Sequence, residues 1–542
     1  MVHGISLLDI PSTTGFYAGF WHAGPELTGL LPHHFRDAGV FERQARRVDA
    51  AHYDRGSLCR LLRDQNDKLG ADPAVQAGIA RLEQPGALVV IGGQQAGLFG
   101  GPLYTLHKAA TILALARGQE KDLGRPVIPV FWIASEDSDL EEINHAWITD
   151  RDGRLRELRM PGSPPAKIPV SRLQLGGHIG PLIDELAAAL PEGGFTAEVL
   201  SDLRSAYTPG RTYTQAFAAW MAGLFQGTGL VLVDPSDARL KRLAFPLFER
   251  EIAEKSPVSA AALEQTARLE KAGFHAQIEL RPGFLTLFHQ APARDAIMIT
   301  HEGFQLKEAG RRFSPLELAE LLQRDPDAFT PNAMLRPLFQ DSVFPTLAAV
   351  LGPSEIAYWA QLTLAYERME IPMPIMMPRA SFTLVEEKME RLQSRLGVSL
   401  VQALQRGEHV IDDILRKEIP ATLVTRISTS RAAVEDAWRG IVNEIDSLDP
   451  TLHRTSELGR SRSLWQFDFM ERKIAQAARK KNVILRGKVE RLLASLAPRG
   501  GLQERTLCAL PFLARHGNRI VSQVIACTDP FAPEHRVVGV DP

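Results

Sequence analysis

Two runs decide how this chain is read: Gly92–Lys108, GGQQAGLFGGPLYTLHK, and Pro129–Asn144, PVFWIASEDSDLEEIN. The first follows Ala87–Ile91, a short β-rich segment entered through Pro85-Gly86. A brief apolar run bounded by turn residues reads as a buried strand. Pro102 suits a helix start, because its missing N–H is one the first turn leaves unpaired anyway. Leu103, Leu106, Ala110 and Leu113 then form a helical stripe that runs on to Arg117. Pro126–Ala134, with Phe131 and Trp132, is a second apolar strand. Strand, helix and strand over this length make a βαβ unit, hence a parallel pair with a right-handed crossover.

Both strands end in polar clusters. Ligands of open parallel sheets bind beyond the carboxyl ends of the strands, near a topological switch point. The two clusters are therefore expected to form two walls of one cleft. Glycines 92, 93, 97, 100 and 101 would let backbone N–H groups approach an anion. The pattern is neither the dinucleotide fingerprint nor the phosphate loop ending in Gly-Lys-Ser/Thr, so the motif alone names no nucleotide. Tyr104, His107, Lys108 and Thr111 follow i, i+3, i+4, i+7 spacing and are expected on one helix face. His107 and Lys108 are candidate catalytic cations, placed to neutralise charge on a transferring group. Gly93, Gln94, Gln95, Gly97, Gly101 and Tyr104 are candidate binding residues beside them. In the acidic cluster, Glu136, Asp137 and Asp139 are suited to an amine, a sugar hydroxyl or Mg²⁺. Asp137 is a candidate catalytic group able to take a proton from an attacking amine, and Asn144 closes the set. Glu141 or Glu142 is expected to face water.

Working outward, residues 1–85 read as a mostly helical lead-in. Past the acidic cluster come helices at Leu182–Leu190, Ala197–Ala206 and Thr212–Phe225, then a strand at Gly229–Asp234 that ends in an acid. One long amphipathic helix is expected from Arg239 to Ala272, followed by short strands at Gln277–Leu280, Leu285–His289 and Ala296–His301. Late in this region PNAMLRPLFQDS (331–342) and GPSEIAYWAQL (352–362) again join a tight turn to a helix. Asn332, Arg336, Gln340 and Asp341 share helical spacing there, and Gly352 precedes Glu355, Tyr358 and Gln361; all are candidate substrate- or nucleotide-binding residues. Strands alternate with helices from about residue 86 to residue 378, the grammar of an α/β domain.

Near Ser381 glycine becomes sparse. Leu423, Ile427, Val434, Ile441, Ile445 and Leu448 keep near-heptad spacing, Asp449-Pro450 interrupts it, and Leu464, Phe467, Ile474 and Leu485 resume it. Two long helices joined by a short break should fold back as an antiparallel pair. An exposed pair cannot bury both stripes within one hairpin, which points to a homodimer.

The 542 residues carry a net charge of −2, so no global field favours nucleic acid or an anionic membrane. No stretch approaches the ~20 apolar residues of a membrane span. The first residues, MVHGISLLDIPSTTGFY, lack the basic start and long apolar core of a secretory signal. Cys59, Cys508 and Cys527 are few, odd in number and widely spaced. They argue against a disulfide framework or a cysteine metal site, and fit a cytoplasmic protein.

The two opening runs and the two later motifs together resemble the BshC family of cysteine ligases in bacillithiol biosynthesis. The closing GLQERTLCALPFLARHG (501–517) resembles that family's C-terminal signature. The resemblance implies a Rossmann-like parallel-sheet core related to nucleotidyltransferases, with inserted connecting elements, over residues 1–380. It implies an α-helical antiparallel coiled-coil domain over 381–497 that mediates dimerisation, and a tail, 498–542, packing back on the core. The implied reaction joins the carboxyl of L-cysteine to the amine of glucosaminyl-malate. Carboxylates do not acylate amines unaided at neutral pH, so ATP, with Mg²⁺, is the expected activator. The family usually reads Glu-Asp-His-Asp where this chain has Ser138, so the general base stays open. Two other readings stand beside this one: a nucleotidyltransferase acting on another small acid, and a non-catalytic nucleotide-sensing scaffold. If the ligase reading holds, alanine at His107 or Asp137 should abolish product and leave thermal stability nearly intact.

Overall fold

The computed structural model describes residues 2–11, 15–70, 72–162, 168–290, 293–417, 419–532 and 534–540. The chain divides into two units, Met1–Leu384 with Gln503–Pro542, and Val385–Leu502. Among the described residues no helix is long and apolar enough to cross a membrane.

The first unit is built on a five-stranded parallel sheet. Its strands are β1 (Leu88–Gln94), β2 (Val127–Ile133), β3 (Val231–Val233), β4 (Thr346–Leu351) and β5 (Ile375–Pro378). They lie in the order β5-β4-β1-β2-β3. Strands covered on both faces should be continuous apolar runs rather than alternating ones. All six residues of β4 are buried, as are the first five of β1. The βαβ expectation holds: β1 pairs with β2 from Leu88↔Val127 to Gln94↔Ile133. Helix α1 (Tyr104–Leu123) joins them and ends at Gly124, whose φ of +63° closes the last turn. The chain moves outward from β1 through β2 to β3, then returns to the other side of β1 as β4. The switch point is therefore at the carboxyl ends of β1 and β4.

Between β3 and β4 the expected single helix from Arg239 to Ala272 is three: Ala238–Leu243, Phe245–Ala253 and Pro257–Lys271. Pro246 and Pro257 each sit in a first helical turn, and Lys255 and Ser256 take positive φ between the last two. Proline lacks the N–H that would continue a preceding helix. Gln277–Leu280 is not a strand, because Gln361 Oε1 takes the N–H groups of Gln277 and Ile278 at 3.1 and 3.0 Å. An antiparallel five-stranded sheet that includes Phe284–Gln290 and Arg294–Ile299 fills this insertion. The lead-in contains a strand the sequence reading missed. Val2–Ser6 pairs antiparallel with Glu534–Val540, which in turn neighbours Phe382–Glu386.

In the second unit, α4 (Ala421–Leu448) and α5 (His453–Lys481) are joined through Pro450–Leu452. Arg431 Nη1 lies 2.8 Å from Asp468 Oδ1, and Arg460 Nη1 3.4 Å from Glu435 Oε1. Partners that converge in this way mark the two helices as antiparallel. Gly459 admits the Trp438 ring, since a Cβ there would lie 2.4 Å from it. The resumed apolar spacing is not one helix: it breaks at Asn482, and Val483–Leu496 is separate.

Candidate functional site

A cavity of about 380 Å³ opens at the switch point. β1 contributes Ile91 to Gln94, followed by Gln95; β4 and its following turn contribute Ala349 and Leu351 to Glu355. Trp132 and Ala134 enter from the end of β2, and Arg336, Pro337 and Gln340 from α2 (Leu335–Val343). Helix α3 (Pro353–Ala360) supplies Glu355, Tyr358 and Trp359. The two opening clusters do form walls of one cleft: Tyr104, Lys108, Asp137 and Glu142 all line it.

The glycines act sterically. A Cβ on Gly92 would lie 2.8 Å from Val350 O, and one on Gly93 2.7 Å from Trp132 O. Neither strand neighbour could stay in register with a side chain between them. The turn after β1 does not hold out an anion nest. Gly97 N donates to Gln95 O, Gly101 N to Leu98 O, and Gly100 N to both Gly97 O and the Tyr207 hydroxyl. Gly97 and Gly101 therefore shape the turn and do not line the cavity.

The cationic side of the cavity is Lys108 with Arg336, Arg379 and Arg505. Lys108 is buried, and its ammonium donates to Gly93 O at 2.6 Å and Glu355 Oε2 at 2.5 Å. Burial pushes its pKa below the ordinary lysine value, against the pull of Glu355. Glu355 also takes the Gly352 N–H at 2.6 Å, tying the start of α3 to α1. Arg379, one residue past β5, lies over the Tyr104 ring at 5.8 Å. Burial raises the Tyr104 hydroxyl to about 12.

The acidic side is Asp137 with Glu142. One amide, Gln95 Nε2, donates to Asp137 Oδ2 at 3.2 Å and Glu142 Oε2 at 2.6 Å. Burial works against ionisation of Asp137, but Arg336, the Gln95 amide and the Ser138 N–H outweigh it and hold the carboxyl below its usual value. Arg336 Nη2 stands 3.8 Å from Asp137 Oδ2. Glu142 moves the other way: desolvation of its carboxyl against the cavity wall, aided by Asp137 and Asp139, raises its pKa although the residue as a whole is exposed. One of Glu141 and Glu142 was expected to face water; both are exposed, and Glu142 also lines the cavity. Ser138 contributes its backbone N–H to Asp137 and does not line the cavity.

Several expected site residues stand elsewhere. His107 is completely buried with Nδ1 3.0 Å from Glu504 Oε2 and its ring edge-on to Phe382. Burial lowers its pKa, so the neutral ring donates Nδ1–H to the Glu504 carboxylate. Glu136 is buried 2.8 Å from Lys241 Nζ. Asp139 is exposed at the start of a short helix, and Asn144 accepts from Arg159 Nη1 at 2.9 Å. Asn332 Oδ1 takes the N–H groups of Met334 and Leu335, where α2 begins. Gln361 holds the 277–278 loop and donates to Thr266 Oγ1.

Asp341 is buried behind the cavity, accepting from Tyr366 Oη at 2.5 Å and Gln340 Nε2 at 3.0 Å. Burial raises its carboxyl from 3.8 to about 7, against those hydrogen bonds. An acid so shifted favours the fold while neutral and weakens it once ionised. Wild-type stability should therefore fall relative to Asp341→Asn as pH rises from about 4 to 7, with no change in the difference below 4. Denaturant melts of both proteins across that range check this; parallel profiles would contradict it.

Arg379, Arg505, Trp132 and Glu504 were not recognised from sequence. Arg379 had a usable signal, since it directly follows a strand whose carboxyl end faces the cleft. Glu504 and Arg505 fall in the 501–517 run that resembles the family's C-terminal signature, but nothing local in that run places their side chains at this cleft.

Two family models match nearly the whole chain. That described as Bacillithiol biosynthesis BshC, N-terminal Rossmann-like domain, matches residues 4–380, and that described as its C-terminal coiled-coil domain matches 382–540. A protein of Salinibacter ruber is 33% identical over 539 residues, covering 98% of this chain and 95% of its own. One from Koribacter versatilis is 32% identical, covering 99% of each chain, and one from Bacillus velezensis 29%, covering 95% and 96%. All three carry the name "Putative cysteine ligase BshC". With a Rossmann-like parallel sheet, an antiparallel helical pair and matches along its whole length, this chain belongs to the BshC family of bacillithiol biosynthesis.

Proposed function

We propose that this chain is a carbon–nitrogen ligase that joins the carboxyl of L-cysteine to the amine of glucosaminyl-malate, using ATP, to form bacillithiol. The observation that carries the reading is the composition of one cavity: two carboxylates bridged by Gln95 face a set of four cationic side chains. Amide synthesis needs that combination. An ammonium must be bound and deprotonated, and an acyl group must leave behind an oxyanion.

Lys108, Arg336, Arg379 and Arg505 suit the anionic partners, whether nucleotide phosphates or the malate carboxylates. ATP would supply the leaving group that a bare carboxylate lacks. Among the described residues no group of three or more His, Cys, Asp or Glu side chains could hold a metal ion. Mg²⁺ that accompanies a nucleotide is held largely by the phosphates and needs only one or two protein oxygens beside them. We also propose a cytoplasmic homodimer formed through α4 and α5. Apolar side chains at Ile441, Leu458, Trp465 and Met470 are exposed on this pair. A monomeric mass by light scattering at micromolar concentration would sink the dimer.

The reaction is tested by incubating the full-length protein with cysteine, glucosaminyl-malate, ATP and Mg²⁺, and analysing thiol-labelled products by mass spectrometry. Bacillithiol should form only with all substrates present. Absence of product across nucleotides and divalent metals would overturn the assignment.

A further inference from the structure

We propose that Glu142 is the general base that deprotonates the attacking amine, with Gln95 holding it in position and Asp137 remaining as the ionised partner that binds the ammonium. This rests on the ligase reading. The geometry begins with Gln95, whose single amide nitrogen reaches both carboxylates. An amide NH₂ has two hydrogens, and each is directed to a different acid. Two carboxylates fixed on one donor cannot drift apart, so an ammonium held by one is presented to the other.

Their surroundings then separate their roles. Asp137 lies 3.8 Å from the Arg336 guanidinium and accepts the Ser138 N–H, so it is held as an anion. Glu142 makes its hydrogen bond to Gln95 from an exposed position, where a captured proton passes to solvent. Two acids whose environments differ in this way divide binding from proton transfer. Asp137 and Asp139 face Glu142 from its own loop, Arg336 faces it from α2, and Tyr104 from α1. The net effect is a carboxyl above its ordinary pKa, better matched to a base working near neutrality.

The step balances as follows. Glu142 takes one proton from the substrate ammonium and frees the nitrogen lone pair. The C–N bond forms as the bond from the acyl carbon to its phosphate-type oxygen breaks, and that oxygen leaves with the electron pair. The second nitrogen proton departs with the leaving oxyanion.

Glu142→Gln, in the full-length protein, tests this with two nucleophiles. With the amino-sugar substrate, kcat should fall about 100-fold while its KM stays within about threefold. With hydroxylamine, which is already neutral at pH 7, the rate of cysteine hydroxamate formation should match wild type. The acidic limb of the amide-forming pH profile should also move in the variant, to follow the ionisation of the substrate ammonium alone. A Glu142→Gln enzyme that makes amide within threefold of wild type overturns the assignment. So does an equal loss with both nucleophiles, which would place Glu142 in activation. If wild type forms neither amide nor hydroxamate, the ligase reading itself fails.

Discussion

Glu504→Ala should destabilise the core unit by about 3–5 kcal/mol, the cost of breaking a buried charge pair from one side. Glu504 is buried, and no water can replace what it supplies. Its Oε1 accepts from Arg379 Nη2 at 2.7 Å, and its Oε2 from Phe382 N at 2.9 Å and His107 Nδ1 at 3.0 Å. Alanine would leave a guanidinium, an amide and an imidazole facing a void. Burial alone would raise the Glu504 pKa, but Arg379 and His107 outweigh it and hold the carboxyl well below the usual value. The sign follows: its contribution is complete above about pH 4.5 and is lost as pH falls through the depressed native value. The comparison to make is urea unfolding of wild type and variant at pH 7 and again below pH 4. A loss under about 1 kcal/mol at pH 7 would contradict the clamp. His107→Ala should follow it with a smaller loss, about 1–3 kcal/mol, since one buried donor disappears and its acceptor remains. This reverses the expectation that His107 could be replaced at little cost.

The reversal shows what spacing can and cannot tell. Successive residues of an α-helix are about 100° apart, so His107 and Lys108 cannot point the same way. The true stripes on α1 are two. Tyr104 and Lys108 face the cavity, while His107 and Thr111 face the segment after β5, where Thr111 Oγ1 accepts the Ala380 N–H. An i, i+3, i+4, i+7 set is one broad face in projection; which edge meets a ligand depends on neighbours hundreds of residues away. The βαβ unit was legible because its evidence is local: apolar runs, a proline at a helix start and turn residues between them. The β4–α3 half of the switch point was legible for the same reason. The places of Glu504 and Arg505 were not, because they depend on the closing segment joining the core. There Gln503 exchanges two hydrogen bonds with the backbone of Leu384. Glycines 92 and 93 line the cavity, and the structure gives them a packing role. Close packing of β1 between β4 and β2 requires them, and an anion is not needed to explain either.

Lys108→Met should lower kcat for amide formation by about 10³-fold, the scale seen when one preorganised electrostatic donor is removed from a water-poor site. Lys108 is fixed by Gly93 O at the end of β1 and by Glu355 at the start of α3, so its ammonium spans the switch point. A charge held there needs no reorganisation when an oxyanion develops. Burial works against that charge and lowers its pKa, which makes Lys108 a more responsive partner for new negative charge than an exposed lysine. Methionine fills nearly the same space, so packing against β1 should survive. The variant still leaves Gly93 O without its donor, at about 1–3 kcal/mol of stability. Melting curves must therefore accompany the kinetics, and the rate should be read well below the variant's midpoint. Lys108→Arg should not rescue activity, because a planar fork cannot meet Gly93 O and Glu355 as a compact ammonium does. Both variants should bind cysteine with KM near wild type if Lys108 acts on the developing charge. A Lys108→Met enzyme within tenfold of wild type would remove Lys108 from the chemistry and leave it as a brace between α1 and α3.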